Sequence, residues 1–202
     1  MLEYRYGSLI LAGGQGKRMG GVPKANLTCG DTTFLSILQR TLDFLSPTYL
    51  SANDRELSMD SGLELVMDRI PGCGPIGGIY SALCVCECEA LLVVPCDMPF
   101  FSEELARLLL NEHRGEPVLY LQDWEEREYP LCGIYTKECI SILEKMLERK
   151  DYRMRQVARE AGGRILQVEK SQADPASFWN INTPADYERM KVGRRQGGLE
   201  DV

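Results

Sequence analysis

The sequence is poor in the features that mark several large classes of protein. It has one histidine in 202 residues, so a zinc site built from several histidines is excluded and a Ser-His-Asp mechanism is not expected. Its uninterrupted apolar runs, such as Ala90–Pro95, are far shorter than the ~20 residues that cross a bilayer. The amino terminus lacks the pattern of a secretory signal. We therefore expect a cytoplasmic protein that does not bind membranes.

Positive charge is also scarce. The chain has 23 Lys and Arg residues against 30 Asp and Glu residues, which gives a formal net charge of −7. This is the wrong sign for a protein that binds nucleic acid through a general basic surface, and we expect no nucleic-acid partner. An anionic ligand would bind only where cations and backbone N–H groups are concentrated locally.

The eight cysteines and the single histidine are interpreted as structural residues. Nothing in the sequence points to export, so disulfides are not expected. Cys84, Cys86 and Cys88 alternate and form no C-x-x-C pair, which favours small buried hydrophobes over a metal or redox site. His113 lies in a polar stretch at the end of a predicted helix, and we expect it to be exposed.

Strand-like and helix-like segments alternate along the chain. This pattern predicts one α/β domain over residues 1–202, a three-layer α/β/α sandwich on a mostly parallel, Rossmann-like sheet, with a disordered tail at 193–202. The predicted strands are Ser8–Ala12, Thr48–Ala52, Leu63–Met67, Ala90–Pro95, Pro117–Leu121, Leu131–Tyr135 and Arg164–Val168. The predicted helices are Thr32–Leu45 with Asp31 as N-cap, Ile76–Val85, Ser102–His113, Lys137–Arg149, Arg153–Ala161 and one that begins after Thr183-Pro184. Ligands of such folds bind at the carboxyl ends of the strands.

The loop after the first predicted strand, residues 11–24, contains five glycines. Their backbone N–H groups can approach a phosphate chain closely, and Lys17, Arg18 and Lys24 supply local positive charge. The P-loop pattern fails because Arg18 follows Gly16-Lys17, and a dinucleotide pattern that starts at Gly14 breaks at Met19. The loop therefore predicts a phosphate site of another type.

Asp97 is the best candidate for a metal ligand. It follows the most apolar predicted strand at its carboxyl end, between the prolines Pro95 and Pro99. Mg²⁺ prefers oxygen ligands and keeps water and substrate phosphate in its shell, so one or two protein carboxylates suffice. A helix N-cap is the alternative role, for which Ser102 is better placed.

Residues 11–24 read Leu-Ala-Gly-Gly-x-Gly-x-Arg-Met-Gly-Gly-x-x-Lys. This resembles the signature of nucleotidyltransferases with a nucleotide-diphospho-sugar transferase fold, and within them it is most similar to the molybdenum cofactor guanylyltransferases. Further matches follow in order over roughly Ser8 to Met190: Asn53, Asp68, Gly74-Pro75-Ile76-Gly77-Gly78, Pro95-Cys96-Asp97-Met98-Pro99 and Asn180-Ile181-Asn182-Thr183-Pro184.

The resemblance implies a Mg²⁺-dependent transfer of GMP from GTP to the terminal phosphate of molybdopterin or its molybdenum-loaded form, with release of pyrophosphate. It also implies partners among molybdenum-insertion and molybdoenzyme maturation proteins. The attacking group is already a phosphate anion, so no general base is required. Catalysis then rests on positioning and charge neutralisation.

By this resemblance, the residues of the loop and of the later motifs receive specific roles. Arg18 and Lys24 would hold the triphosphate and stabilise charge on the departing pyrophosphate. Asp97 would bind the metal, and Asn53 and Asp68 would contact base or ribose. The floor under the nucleotide is implied to be Leu11, Ala12 and Gly13, and the pair Gly13-Gly14 suits guanine, where the cytidylyl relatives typically carry Leu-Ala-Ala-Gly.

The residues after the last predicted strand keep alternative interpretations. Asn182 would add a second oxygen ligand to the metal or, with Asn180, contact the pterin. As alternatives, Asn53 is a turn residue, Asp68 a solvated loop acid and Asn182 an N-cap.

Two other functions stay open. Pro23 precedes Lys24 where the guanylyl enzymes often have aspartate, and Pro-Lys is frequent in the cytidylyl relatives, so CTP or another phosphate acceptor is one alternative. A non-catalytic protein that binds GTP or molybdopterin is the other, although a passive binder has no need of Arg18, Lys24 and Asp97 together.

Overall fold

The computed structural model describes residues 5–13, 23–53, 57, 59 and 61–195, and its core is a seven-stranded sheet. The strands, in chain order, are β1 Tyr6–Leu11, β2 Thr28–Cys29, β3 Thr32–Thr33, β4 Thr48–Ser51, β5 Glu64–Val66, β6 Ala90–Pro95, β7 Val118–Gln122, β8 Glu128–Thr136 and β9 Arg164–Gln167. The large sheet has the order β5-β4-β1-β6-β8-β7-β9, and β2 pairs with β3 in a separate hairpin.

The sheet is mostly parallel, as the alternating sequence pattern predicts. Strands β5, β4, β1 and β6 run in one direction, and β7 and β9 are parallel to each other. Strand β8 is antiparallel to both of its neighbours, β6 and β7. The carboxyl ends of every strand of the large sheet except β8 therefore meet at one edge.

Helices cover both faces of this sheet, which gives the predicted three layers. Strand β6 shows the arrangement: Leu92 and Val94 belong to one hydrophobic core, while Leu91 and Val93 belong to the other. A strand buried on both faces reads as a continuous apolar run. The helices are α1 Phe34–Thr41, α2 Pro75–Val85, α3 Glu103–Glu112, α4 Ile140–Glu148, α5 Met154–Glu160 and α6 Pro184–Arg195.

The start of α1 and the end of α6 differ from the sequence prediction. Thr33 rather than Asp31 caps α1, since its hydroxyl oxygen accepts a hydrogen bond from the Ser36 backbone N–H at 3.1 Å. Asp31 instead lies in the turn between β2 and β3, next to Gly30 with its φ of 64°. Helix α6 continues to Arg195, beyond the expected start of the disordered tail at Gly193, and residues 196–202 lie outside the described residues.

The prediction that His113 is exposed is wrong, because its side chain is fully buried. Its Nε2 lies 2.9 Å from the Glu116 carbonyl oxygen, and its Nδ1 lies 2.8 Å from the Tyr6 hydroxyl. A carbonyl can only accept a hydrogen bond, so Nε2 donates at this contact. His113 therefore contacts Tyr6, the first residue of β1, at the edge of the sheet where the parallel strands begin.

The cysteines are small buried residues, as expected. All eight are free thiols, and all except Cys84 are buried. Within the described part of the chain, no helix is long and apolar enough to cross a membrane.

The loop between β7 and β8 lies at the carboxyl edge of β7 and is organised by one buried acid, Asp123. Its Oδ1 accepts hydrogen bonds from the backbone N–H groups of Glu125 and Arg127, both at 2.9 Å. Its Oδ2 accepts from the Tyr129 hydroxyl at 2.9 Å. Burial and the neighbouring carboxylate raise the pKa of Tyr129 to about 12, so this hydroxyl remains a donor at neutral pH.

Gly133 is required by the close approach of β8 to β7. A Cβ atom at this position would lie 2.8 Å from the Cα of Tyr120 and closer still to the Leu119 carbonyl oxygen. We expect Gly133→Ala to lower the free energy of unfolding by roughly 1–3 kcal/mol, as overpacking typically does. Urea denaturation measures this loss. Ser141→Ala at an exposed position of α4 is the control and should change the value by less than about 0.5 kcal/mol; equal midpoints for the two variants would contradict the argument.

Candidate active site

The carboxyl ends of four parallel strands bring the candidate residues to one edge of the sheet. Leu11 is in register with Ser51 and with Pro95, and Ser51 is in register with Val66. Hydrogen bonds continue past the strand ends, from Ala12 N to the Ser51 oxygen and from Cys96 N to the Leu11 oxygen, both at 2.9 Å. The residues that follow these positions, Gly13, Asn53, Asp68 and Asp97, therefore share this edge.

One ammonium group joins three distant parts of the chain at this edge. The Nζ of Lys24 lies 2.9 Å from Oδ2 of Asp97 and 2.5 Å from Oδ1 of Asn182. The Lys24 and Asp97 side chains are only 23% and 21% exposed. An ion pair this far withdrawn from water is screened less by solvent than one on the open surface.

Lys24 is held by the turn that follows the glycine-rich loop. Residues Lys24–Asn26 form a single 3-10 turn, in which Leu27 N donates to the Lys24 carbonyl oxygen at 3.1 Å. Ala25 is fully buried and Leu27 is nearly so. Because these two buried apolar side chains hold the turn, the backbone of Lys24 is fixed and its side chain extends from there to Asp97.

Asp97 is held between a buried strand and the carboxyl-terminal segment. The tight turn after β6 is closed by a hydrogen bond from Met98 N to the Pro95 oxygen at 3.1 Å. Ile181 N donates to the Asp97 carbonyl oxygen at 2.8 Å, which ties the segment before α6 to this turn. The N-cap alternative for Asp97 is wrong, since Ser102 caps α3 and accepts from Leu105 N at 3.3 Å.

Two buried thiols, those of Cys96 and Cys132, lie near Asp97. Burial raises the pKa of Cys96 to about 12, and burial also raises the pKa of Cys132 strongly. The Cys132 thiol lies 3.3 Å from the sulfur of Met98. The raised pKa values favour the protonated form of both thiols.

Asn182 is oriented by a residue that the sequence analysis did not identify. The Asp186 Oδ2 accepts from Asn182 N at 3.2 Å, from Thr183 N at 2.9 Å and from the Thr183 hydroxyl at 2.7 Å. Thr183 in turn accepts from Asp186 N at 3.2 Å, so the N-cap alternative for Asn182 is wrong. Hydrogen bonds from Thr183 and Asn182 lower the pKa of Asp186. The Thr-x-x-Asp spacing of Thr183 and Asp186 at the start of α6 was the signal that could have revealed this cap.

A second polar pair follows β4 and β5 on the same edge. Asn53 Nδ2 donates to Asp68 Oδ2 over a long 3.5 Å. Asp68 is half-buried; desolvation raises its pKa, and the hydrogen bond from Asn53 opposes that rise. Asp97 follows β6 and Asp68 follows β5, so three inter-strand steps of about 4.8 Å separate their strands. Residues 11–13 lie between the two acids.

Some predicted site residues are placed without a defined contact, and others are not described. Asn180 is half-buried, two residues before Asn182 in the segment tied to Asp97. Gly14, Lys17 and Arg18 lie in the stretch 14–22, outside the described residues.

Comparisons with known proteins show the family to which the chain belongs. A family model described as "MobA-like NTP transferase domain" matches residues 8–165. A protein of Clostridium perfringens strain SM101 named "Probable molybdenum cofactor guanylyltransferase" is 32% identical over 90% of this chain and 93% of its own length. A protein of the same name from Pelotomaculum thermopropionicum is 32% identical over 91% of each chain.

The solved structures show the same fold. The crystal structure of molybdopterin-guanine dinucleotide biosynthesis protein A from Archaeoglobus fulgidus superimposes with a TM-score of 0.77, at 22% identity, over 94% of this chain and 98% of the other. The sheet is therefore that of the nucleotide-diphospho-sugar transferase fold. Because the family model spans most of the chain and the relatives match over nine-tenths of it, the chain belongs to the MobA-like NTP transferase domain family and is a nucleotidyltransferase.

Proposed function

We propose that this nucleotidyltransferase, as a single domain, transfers GMP from GTP to the terminal phosphate of molybdopterin or its molybdenum-loaded form. The observation that carries the proposal is the cluster of Lys24, Asp97 and Asn182 at the carboxyl edge of the sheet. It lies across residues 11–13 from a second polar pair. The names of relatives that match nine-tenths of the chain support the same reaction.

The cluster suits Mg²⁺ by the chemistry of its donors. Asp97 offers a carboxylate oxygen and Asn182 an amide oxygen, and both already contact one cationic nitrogen. Among the described residues, no three His, Cys, Asp or Glu side chains are grouped to hold a metal. An ion held here would complete its shell from water and phosphate, as Mg²⁺ normally does. When bound, it would neutralise charge on the phosphate oxygens.

The reaction needs no proton transfer by a side chain. An oxygen of the acceptor phosphate attacks the α-phosphorus of GTP, the bond from this phosphorus to the bridging oxygen breaks, and pyrophosphate leaves. In the proposal, Lys24 stabilises the negative charge that collects on the leaving group, and Arg18 assists on the evidence of the sequence motif alone. A partly buried cation is effective here because solvent screens it less.

The Asn53–Asp68 pair is proposed to bind the base. A carboxylate can accept hydrogen bonds from both N1–H and the exocyclic amine of guanine. The 3.5 Å bond between the two side chains is weak by geometry and can be exchanged for bonds to a ligand. Asn53 then remains available for the base or the ribose, and Asn180 for the pterin.

A cytoplasmic location and transfer of the product to molybdenum-insertion or maturation proteins complete the proposal. Both are predictions from the sequence. CTP remains the competing nucleotide because of the dipeptide Pro23-Lys24.

The proposed reaction predicts a defined product. Purified protein incubated with molybdopterin, Mg²⁺ and each nucleoside triphosphate in turn should give the guanine dinucleotide and pyrophosphate with GTP only. Mass spectrometry of the dinucleotide and an assay of pyrophosphate measure both products. Formation of a cytosine dinucleotide would show that CTP, and not GTP, is the nucleotide substrate. Binding of GTP and molybdopterin without release of pyrophosphate would identify a non-catalytic carrier.

Base recognition by Asp68 predicts a nucleotide-specific and pH-dependent stabilisation. Mg-GTP should raise the melting temperature more than Mg-CTP, since a ligand that binds the folded state stabilises it. Asp68→Asn should remove most of this difference, whereas Asp31→Asn in the exposed β2–β3 turn should retain it. Binding requires the carboxylate, and the pKa of Asp68 is raised. The excess shift for GTP should therefore decline as the pH falls through that raised pKa, and equal shifts at all pH values would rule out Asp68.

Lys24 is expected to act in the transition state. Lys24→Ala should slow nucleotidyl transfer by roughly 10²–10³, by comparison with the loss of a single transition-state donor. Single-turnover rates with saturating GTP measure the effect apart from binding. The control Lys145→Ala removes an exposed lysine of α4, and its rate should be that of the unmodified protein. A near-normal rate for Lys24→Ala in a folded protein would assign charge stabilisation to other residues.

A further inference from the structure

The ammonium group of Lys24 occupies the position that a metal ion shared by Asp97 and Asn182 would need. It contacts the Asp97 carboxylate at 2.9 Å and the Asn182 amide oxygen at 2.5 Å. Mg²⁺ binds its oxygen ligands at about 2.0–2.1 Å. An ion in contact with both oxygens would therefore overlap the ammonium group. The two cations cannot be bound there together.

The backbones that carry the two oxygens are held in place, whereas the ammonium group lies at the end of a long, flexible side chain. Asp97 is fixed through the hydrogen bond from Ile181 N to its carbonyl oxygen, and Asn182 is fixed through the Asp186 carboxylate that caps α6. Lys24 reaches them with a flexible four-carbon side chain. Rotation about its side-chain bonds can withdraw the ammonium group and leave both oxygens where they are.

The ion pair with Lys24 also stabilises the Asp97 carboxylate when no ligand is bound. The Asp97 side chain is only 21% exposed, and a partly buried carboxylate without a counter-charge is unfavourable. Among the described residues, Lys24 is the cation that forms an ion pair with Asp97.

We propose that Lys24 is an exchangeable internal counter-ion, which occupies the Asp97–Asn182 oxygen pair in the free enzyme and leaves it when metal and nucleotide enter together. This inference rests on the proposed function and adds an order of binding to it. Divalent metal alone competes with the ammonium group and binds weakly. The triphosphate offers Lys24 an alternative anion, so nucleotide binding vacates the metal position and places the lysine on the phosphates in one step.

The test measures the affinity for Mn²⁺ alone, by electron paramagnetic resonance of the free ion, in the full-length protein without nucleotide. Two neutral variants, Lys24→Met and Lys24→Gln, should bind Mn²⁺ at least roughly tenfold more tightly than the unmodified protein. A neighbouring opposite charge typically shifts proton binding to a carboxylate by roughly one to three powers of ten, and we expect metal binding to the same oxygens to shift in the same direction. Lys24→Arg keeps the charge and should bind no more tightly than lysine.

Matched controls separate local from general charge effects. Lys145→Met removes the same charge from the exposed surface of α4 and should leave the affinity for Mn²⁺ unchanged. Circular dichroism verifies the fold of each variant, and the use of two neutral substitutions means that the test does not depend on one of them folding. In the Lys24→Met protein, Asn182→Ala should weaken Mn²⁺ binding, because it removes the second oxygen.

The outcomes distinguish this inference from the proposed function. Equal Mn²⁺ affinities for the unmodified protein and the neutral variants, with binding lost in Asp97→Asn, would overturn the exchange and leave the proposed function intact. If Lys24→Arg also bound Mn²⁺ more tightly than the unmodified protein, the positive charge at position 24 would not be what opposes metal binding. If Asp97→Asn binds Mn²⁺ and GTP together as well as the unmodified protein does, the metal site of the proposed function fails, and the exchange fails with it.

Discussion

The contact of one lysine with an aspartate and an asparagine is the interaction on which the site depends. Asp97 is 73 positions from Lys24, and Asn182 is 158 positions from it. Lys24 lies in a 3-10 turn, Asp97 follows the end of a buried strand, and Asn182 precedes a capped helix. Because the Asp97 and Asn182 oxygens both contact the Lys24 ammonium group, the site forms only when the first, middle and last parts of the chain are folded together.

Strand β6 makes this convergence possible. It lies between β1 and β8 and contributes side chains to the hydrophobic cores on both faces. Every residue of β6 is consequently buried, and Asp97 follows the carboxyl end of the strand by two residues. The Asn53–Asp68 pair, by contrast, follows β4 and the edge strand β5, and the hydrogen bond between its two side chains is long.

The sequence allowed the layers and the shared edge to be predicted, because apolar runs and glycine-rich turns are local signals. Asp97 was found from its place after the most apolar run. The contact of Lys24 with Asn182 could not be found in this way, since no local pattern relates residues so far apart. Asp31 and Thr33 are both suitable N-caps, and only the β2–β3 hairpin decides between them. His113 is buried because Tyr6 and Glu116 satisfy both ring nitrogens, a partnership with no local sequence signal.

The reversal of strand direction at β8 has a consequence for how this fold can diversify. It places a short hairpin loop, rather than a helical crossover, beside the half of the edge that lies away from β4 and β5. Asp123 holds the shape of that loop from within, while Glu125, Glu126 and Arg127 are exposed around it. Substitution of these outer side chains is therefore expected to leave the framework beneath the hairpin, and the parallel strands beyond it, undisturbed.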